Sequence, residues 1–280
     1  MHVSDAPRAA GGRFDLWLEL LLRLTKEAPG WGVWKNVESA LSGTGDLDTS
    51  APPRDWAAIE REFVAWATAH DLGGVAVCRC VPRTVNLVAV PEGEPTFLQL
   101  EVKGQVTFRA STLFDADDLI PLMTMDPRDF RILREGAQGL FKFLTNGLQR
   151  GGRPHPEWIA SKQILELLRA DPEGVQEAAR LLGPGRAAAL KGVDAALAGG
   201  WDRPAMLRLE ALGLAKALLE PRTLFERTWF RLRSKRSCPV LRVVYQKHRL
   251  TPADPEAWIQ EVAATHPTYN HADRRGTVAN

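Results

Sequence analysis

The sequence predicts an α+β chain, with a small mixed β-sheet and its helices followed by a mainly helical C-terminal region. Three observations carry this. Up to about Arg134 the apolar residues change period repeatedly, from helical spacing to alternation and back. Beyond Arg134 the spacing is helical almost throughout. Gly151-Gly152-Arg153-Pro154 is the strongest breaker between the two regimes. It divides an α/β domain over 13–150 from a helical region over 153–280.

The elements follow in order. Phe14–Glu27 has apolar residues on a helical repeat, and Gly32–Lys35 reads as a short buried strand. Ser42-Gly43-Thr44-Gly45-Asp46-Leu47-Asp48 is an acidic extended step, stopped by Ala51-Pro52-Pro53. Asp55–His70 is a helix with Trp56, Ile59, Phe63 and Trp66 on one face. Val75–Val81, Thr84–Val90 and Thr96–Lys103 are strands, separated by turns at Pro82-Arg83 and 91–95, and Val106–Ala110 adds another. Asp115, Asp117 and Asp118 read as capping residues before Leu119, while Asp126 and Asp129 flank a turn at Pro127-Arg128. Helices are expected over Arg134–Gln149, Pro156–Arg169, Pro172–Leu182, Arg186–Ala198 and Arg203–Leu219. Gly183-Pro184-Gly185 and Gly199-Gly200 serve as stops.

The 280 residues suffice for one large domain or two, and 36 basic against 34 acidic residues give a net charge of only +2. Cys78, Cys80 and Cys238 are too few and too unevenly placed for a disulfide framework. They read as small buried side chains in a reducing cytoplasm. Cys78-Arg79-Cys80 lacks a second Cys/His pair at zinc spacing. No run approaches the ~20 apolar residues of a spanning helix, so no membrane partner is expected. Leu16–Leu24 is interrupted by Glu19 and Arg23 and lacks a following cleavage site, which excludes a signal peptide.

Asp46 and Asp48 stand one residue apart on an extended segment, so both carboxylates point to one side. A turn favours Asp and Gly for backbone reasons alone, and that reading competes evenly for these residues. An acid on a neighbouring strand, such as Glu101 in Leu98-Gln99-Leu100-Glu101-Val102, would complete a three-carboxylate cluster. Such a cluster suits a divalent metal with hard oxygen ligands. Lys103 lies two positions past Glu101 on the same strand face and could meet a phosphate, against a plain surface lysine.

The element order, Gly43-Thr44-Gly45-Asp46-Leu47-Asp48 and Phe97-Leu98-Gln99-Leu100-Glu101-Val102 together resemble the DNA polymerase β-like nucleotidyltransferase superfamily. The resemblance covers roughly Gly32 to Gln149. It implies a nucleotidyltransferase-like domain in which Asp46, Asp48 and Glu101 are catalytic and bind magnesium, or manganese. It also implies that Lys35-Asn36, in place of the family's Gly-Ser pair, contact the nucleoside triphosphate together with Gly43, Gly45 and Lys103. The implied reaction is metal-dependent transfer of a nucleotidyl group to a hydroxyl acceptor. The alternatives are an inactive nucleotide- or nucleic-acid-binding module and an antitoxin-like interaction protein with the same fold.

The segment from Arg222 to Arg249 carries Arg227, Arg231, Arg233, Lys235 and Arg236 among aromatics, against the single acid Glu226. Clustered cations with stackable rings suit a nucleic-acid backbone or another polyanion, so a nucleic-acid acceptor could dock there, whereas a protein acceptor would leave those arginines facing elsewhere. The competing reading is a helix that buries Phe225, Trp229 and Leu232 with its arginines in water, followed by a core strand over Val240–Tyr245.

Overall fold

Trp17, Leu20, Leu21 and Leu24 fall on one helical stripe, and helix α1 (Ala10–Glu27) buries all four. In the computed structural model, residues 10–43, 45–72, 74–90, 98–109, 111–156, 162–234 and 241–246 are described. β1 (Gly32–Lys35), α2 (Val37–Leu41) and β2 (Leu47–Ser50) follow, and a 3-10 turn at Pro53–Asp55 leads into α3 (Trp56–Ala69). Then come β3 (Gly74–Val81), β4 (Thr84–Val90) and β5 (Leu98–Lys103). A separate hairpin, β6 (Gln105–Phe108) and β7 (Ser111–Asp115), precedes α4 (Ala116–Leu119), β8 (Met123–Met125) and β9 (Arg131–Leu133). α5 (Glu135–Thr145) opens the helical layer, and β10 (Leu148–Gln149) and β11 (Arg153–Pro154) form a small hairpin after it. Next are α6 (Lys162–Ala170), α7 (Pro172–Arg180), α8 (Arg186–Leu197), α9 (Arg203–Leu219), α10 (Pro221–Ser234) and β12 (Leu241–Gln246).

The main sheet is mixed and eight-stranded, in the order β12-β3-β4-β5-β2-β1-β9-β8. β2 runs parallel to β5 and β1 parallel to β9, while the other neighbours are antiparallel. The mixed α+β class expected from the sequence is therefore present. Strand alternation divides the sheet into two faces. Leu98, Leu100 and Val102 of β5 join Val33, Leu47 and Leu87 under α1 and α3, where Trp17 stacks on Trp66 at 5.9 Å. On the opposite face stand Gln99, Glu101 and Lys103 of β5, with a second core around Trp34, Phe114 and Phe141 beside them.

Short elements account for most differences from the sequence reading. The five-residue α2 and the strands β7, β8 and β9 are too short to show a period. Asp46 precedes β2 rather than lying in it. Of the strand expected over Val240–Tyr245, the described part from Leu241 lies in β12, which pairs at the edge of the main sheet beside β3, and Val240 is outside the described residues. Phe225, Trp229 and Leu232 are 67%, 57% and 58% exposed, which corrects their reading as buried residues. Cys78 is buried as expected, but it is disulfide-bonded rather than a free thiol, and its partner lies outside the described side chains. Asp115 and Asp118 do form a reciprocal cap on α4. Among the described residues no helix is long and apolar enough to cross a membrane.

Arg134 fastens the helical layer to the end of β9. Its guanidinium reaches Asp171 at 2.7 Å and Glu177 at 2.7 Å. Burial would raise the Asp171 carboxyl, but Arg134 and the N–H groups of Gly174 and Gly136 outweigh it and hold the carboxyl below its usual range. Gly136 makes this junction possible, because a Cβ there would sit 2.0 Å from the Asp171 carbonyl oxygen. Asp171→Ala removes both a helix cap and an ion-pair partner, and should cost about 2 kcal/mol in urea unfolding. Gly136→Ala should cost at least as much, because backbone rather than a movable side chain stands in the way. A Gly136→Ala protein as stable as the parent would contradict this packing.

Candidate functional site

A row of polar side chains crosses the middle of the main sheet. Lys35 of β1 pairs in register with Asp48 of β2, Asp48 with Glu101 of β5, and Glu101 with Asn86 of β4. Paired residues on adjacent strands share a face, so all four side chains leave the sheet on the side away from α1 and α3. One row further along, Ser50 pairs with Lys103 and Lys103 with Thr84. The flanking apolar residues fix this register, since a slip of one residue would turn the charges into the helix-covered core.

Asp48 is the centre of the cluster and is 4% exposed. Its carboxylate accepts from Asn36 Nδ2 at 2.7 Å and faces the ammoniums of Lys35 at 3.5 Å and Lys103 at 3.4 Å. Lys103 also ion-pairs with Glu101, so its ammonium lies between the two acids. Asn36 reaches Asp48 from a left-handed conformation at φ 63°, which Asn tolerates better than most residues. Asp46 stands on the flank, half-buried, where Gln99 Nε2 donates to it at 3.4 Å.

Burial pushes the Asp48 carboxyl upward, but Lys103 and Lys35 outweigh it and hold it below the ordinary range. Glu101 is pushed up to about 7 by burial and by hydrogen bonding and repulsion from Asp48. Asp46 is raised by burial and by Asp48. Burial alone would lower Lys103, yet Glu101 and Asp48 raise it. The cluster is thus a central ionised carboxylate, a neighbour that keeps its proton into the neutral range, and a lysine locked between them.

The structure brings Asp48, Glu101, Lys103, Lys35 and Asn36 together and leaves Asp46 at the edge of the group. Lys103 is an ion-paired member of the cluster rather than a surface lysine. Gly43 has φ +80° and turns the chain out of α2, and Gly45 passes close to Ser39, where a Cβ would meet the Ser39 Cβ at 3.2 Å. Arg227, Arg231 and Arg233 lie on α10 with side chains outside the described residues. Lys235 and Arg236 are wholly outside them.

Sequence reasoning missed two members. Lys142 of α5 is 3% exposed, is lowered by burial and by Lys35, and hydrogen-bonds Gln163 at 3.4 Å. Its place in a strongly apolar helix, Leu140-Phe141-Lys142-Phe143-Leu144, was the available signal. Asn86 is 8% exposed and its Oδ1 has no hydrogen-bond partner among the described residues. The alternation Val85-Asn86-Leu87 marked it as the polar face of β4.

Two cavities flank the cluster. One, of about 360 Å³, is lined by Asn36, Gln138, Lys142 and Gln163. The other, of about 270 Å³, is lined by Trp34, Lys35, Thr84 and Lys103 among others.

The donor chemistry fits a hard divalent cation. Asp46, Asp48 and Glu101 supply carboxylate oxygens, and the orphaned Asn86 Oδ1 adds an amide oxygen on the same face. The fit is in donor type rather than in a ready ligand set: among the described residues no three acids are already gathered for a metal, and Lys103 stands between two of them. No family model, curated protein or solved structure matches the chain.

Lys103→Met leaves the buried Asp48 and the half-buried Glu101 without their shared cation and should destabilise the fold by about 3 kcal/mol. Adding Asp48→Asn and Glu101→Gln should recover part of that loss in a denaturant series, because the uncompensated charge disappears. A triple variant no more stable than Lys103→Met would show that the lysine acts by packing alone.

Proposed function

We propose that the chain is a divergent member of the DNA polymerase β-like nucleotidyltransferase superfamily. In this reading it moves a nucleotidyl group from a nucleoside triphosphate to a hydroxyl acceptor. The observation that supports it is the register of the polar row, with Asp48 opposite Glu101 and both flanked by lysines. Asp46, Asp48 and Glu101 would hold magnesium or manganese. When bound, the metal supplies charge neutralisation at the phosphates and at the attacking and leaving oxygens.

The chain's own groups then have distinct tasks. Lys35, Asn36 and Lys142 bind phosphate oxygens, with Lys142 offering a buried ammonium that, among the described residues, hydrogen-bonds only an amide oxygen. Glu101 receives the proton of the acceptor hydroxyl. The hydroxyl oxygen bonds to the α-phosphorus, the bond from that phosphorus to its bridging oxygen breaks, and pyrophosphate leaves. Sequestration in the half-buried cluster strengthens each of these contacts. We keep the cytoplasmic setting as part of the proposal, with the Cys78 disulfide as the observation against it.

A second reading is favoured by one contact. Lys103 neutralises the acid pair, as it would in an inactive module that retains nucleotide binding without transfer.

Asp46→Asn is the cleanest test, because Asp46 is half-buried at the flank of the cluster and its carboxylate accepts only a long hydrogen bond from Gln99 and one from its own backbone among the described residues. It should leave folding unchanged, while magnesium-dependent triphosphate binding on calorimetry falls at least tenfold and transfer is abolished. Lys35→Ala and Lys142→Met should each weaken triphosphate binding in a folded protein. Binding without any transfer by the parent chain would favour the inactive module, and no triphosphate binding at all would remove both readings.

A further inference from the structure

We propose that the chain forms a two-fold dimer through the outer face of α9 and α10, with α9 lying antiparallel to α9 of a second copy. From Pro204 to Leu219, α9 carries only Arg208, Glu210 and Lys216 as polar residues, and its apolar residues fall on both sides of the helix. Ala205, Met206, Leu209 and Ala217 are buried against the protein's own core. Leu207, Leu214 and Leu218 stand on the opposite side, 42%, 56% and 77% exposed. A helix that is apolar on both sides is ordinarily a buried helix, so this second side calls for a cover. Leu207, Ala211, Leu214 and Leu218 follow one another at steps of four, three and four residues. That is the spacing of a helix–helix seam rather than of scattered surface leucines.

α10 carries the face further. Phe225 stacks on Trp229 with ring centroids 6.2 Å apart, Leu232 follows, and all three are more than half exposed. Thr223 and Glu226, on the other side of the same helix, line the cavity beside Lys103. Glu220 alone joins the two helices, and the exposed Leu218 and Leu219 bring the apolar surface up to the junction. Phe225 and Trp229 present roughly 100–150 Å² each, taking a free aromatic side chain as about 150–250 Å². With Leu207, Leu214, Leu218 and Leu232 the total is on the order of 700 Å², against the ~800 Å² that each partner gives to a standard-size interface. A monomer ordinarily leaves less apolar surface than this in one patch.

The charges select the partner and its direction. The seam is uncharged, which leaves a phosphate backbone nothing to bind. Arg208 borders it, is exposed, and makes no ion pair among the described residues. In an antiparallel pair centred between Leu212 and Gly213, Leu207 meets Leu218 of the second copy, and the small Ala211 gives Leu214 of the second copy a hole to enter. Each Arg208 then stands near the carbonyl end of the other α9, where the helix dipole favours a cation. The two arginines are about nine residues, roughly 13 Å, apart along the axis. Parallel packing would set them at one level as like charges. Nothing in this arrangement depends on nucleotidyl transfer.

Sedimentation equilibrium on the full chain should give twice the 30.9 kDa of one chain at micromolar concentration. Leu214→Glu places a carboxylate at the centre of the seam, and Trp229→Ser removes the aromatic anchor of α10. Both side chains are more than half exposed, so each variant should keep the parent's circular dichroism and urea midpoint while its dimer dissociation constant rises at least tenfold. With p-benzoylphenylalanine in place of Leu218, irradiation should cross-link the chain to the segment around Leu207 of a second copy. A parent that is monomeric at these concentrations, a dimer that either variant leaves intact, or a cross-link confined to one chain, for instance into residues 247–280, would overturn the proposal.

Discussion

A buried carboxylate on a central strand is the constraint around which this molecule is arranged. Moving Asp48 out of water costs several kcal/mol unless its oxygens are met by donors and cations. Four residues meet them, and they come from both sides of the strand: Lys35 and Asn36 at the end of β1, Lys103 and Glu101 on β5. Each is useful to Asp48 only while the pairing of β1, β2 and β5 keeps its register. The apolar halves of the same strands enforce that register from the other face, where Val33, Leu47, Leu100 and Val102 are buried. Fold and cluster therefore stabilise one another.

The helical layer adds the second wall. α5 approaches α7 and α6 at Gly136 and Gly139, where a Cβ would meet backbone at 2.0 Å and 3.0 Å. That close approach packs Phe141 and Phe143 into the second core and sets Lys142 over the sheet's polar face. A lysine in such a helix loses hydration, so its persistence there needs an anionic neighbour, and Asp48 is the acid that acts on it.

Much of this was legible in the residues. Long periodic segments, α1, α3 and the helices after Arg134, declare themselves because burial repeats along them. Strand parity alone does not pair Asp48 with Glu101: the resemblance implied Glu101 as the third acid, and the register of β2 on β5 is what sets the two opposite each other. Asp46 misled slightly, because parity was extended one residue beyond the strand that enforces it. Phe225, Trp229 and Leu232 misled more, since helical spacing of apolar residues says that a face exists, not that anything covers it. Lys142 and Asn86 were hidden for a different reason. Each looks like a lone polar residue in an apolar run, and only the third dimension shows that both face one cluster.

The position of Lys103 follows from the same electrostatics. Two carboxyls held side by side in a half-buried site cannot both ionise without a cation between them. Lys103 supplies one, and Glu101 nonetheless keeps its proton into the neutral range. Three lysines and three acids face each other here, so the cluster is near balance when all are ionised, and a triphosphate entering alone would break that balance. In the nucleotidyl-transfer reading Asp46, Asp48 and Glu101 would hold a divalent cation in place of Lys103, and the Lys103 ammonium would then be free to meet the phosphates. Lys103 is therefore the residue on which the two proposed readings divide: in the inactive module it would stay fixed between the acids, as it stands here, and in the transferase it would move to the phosphates.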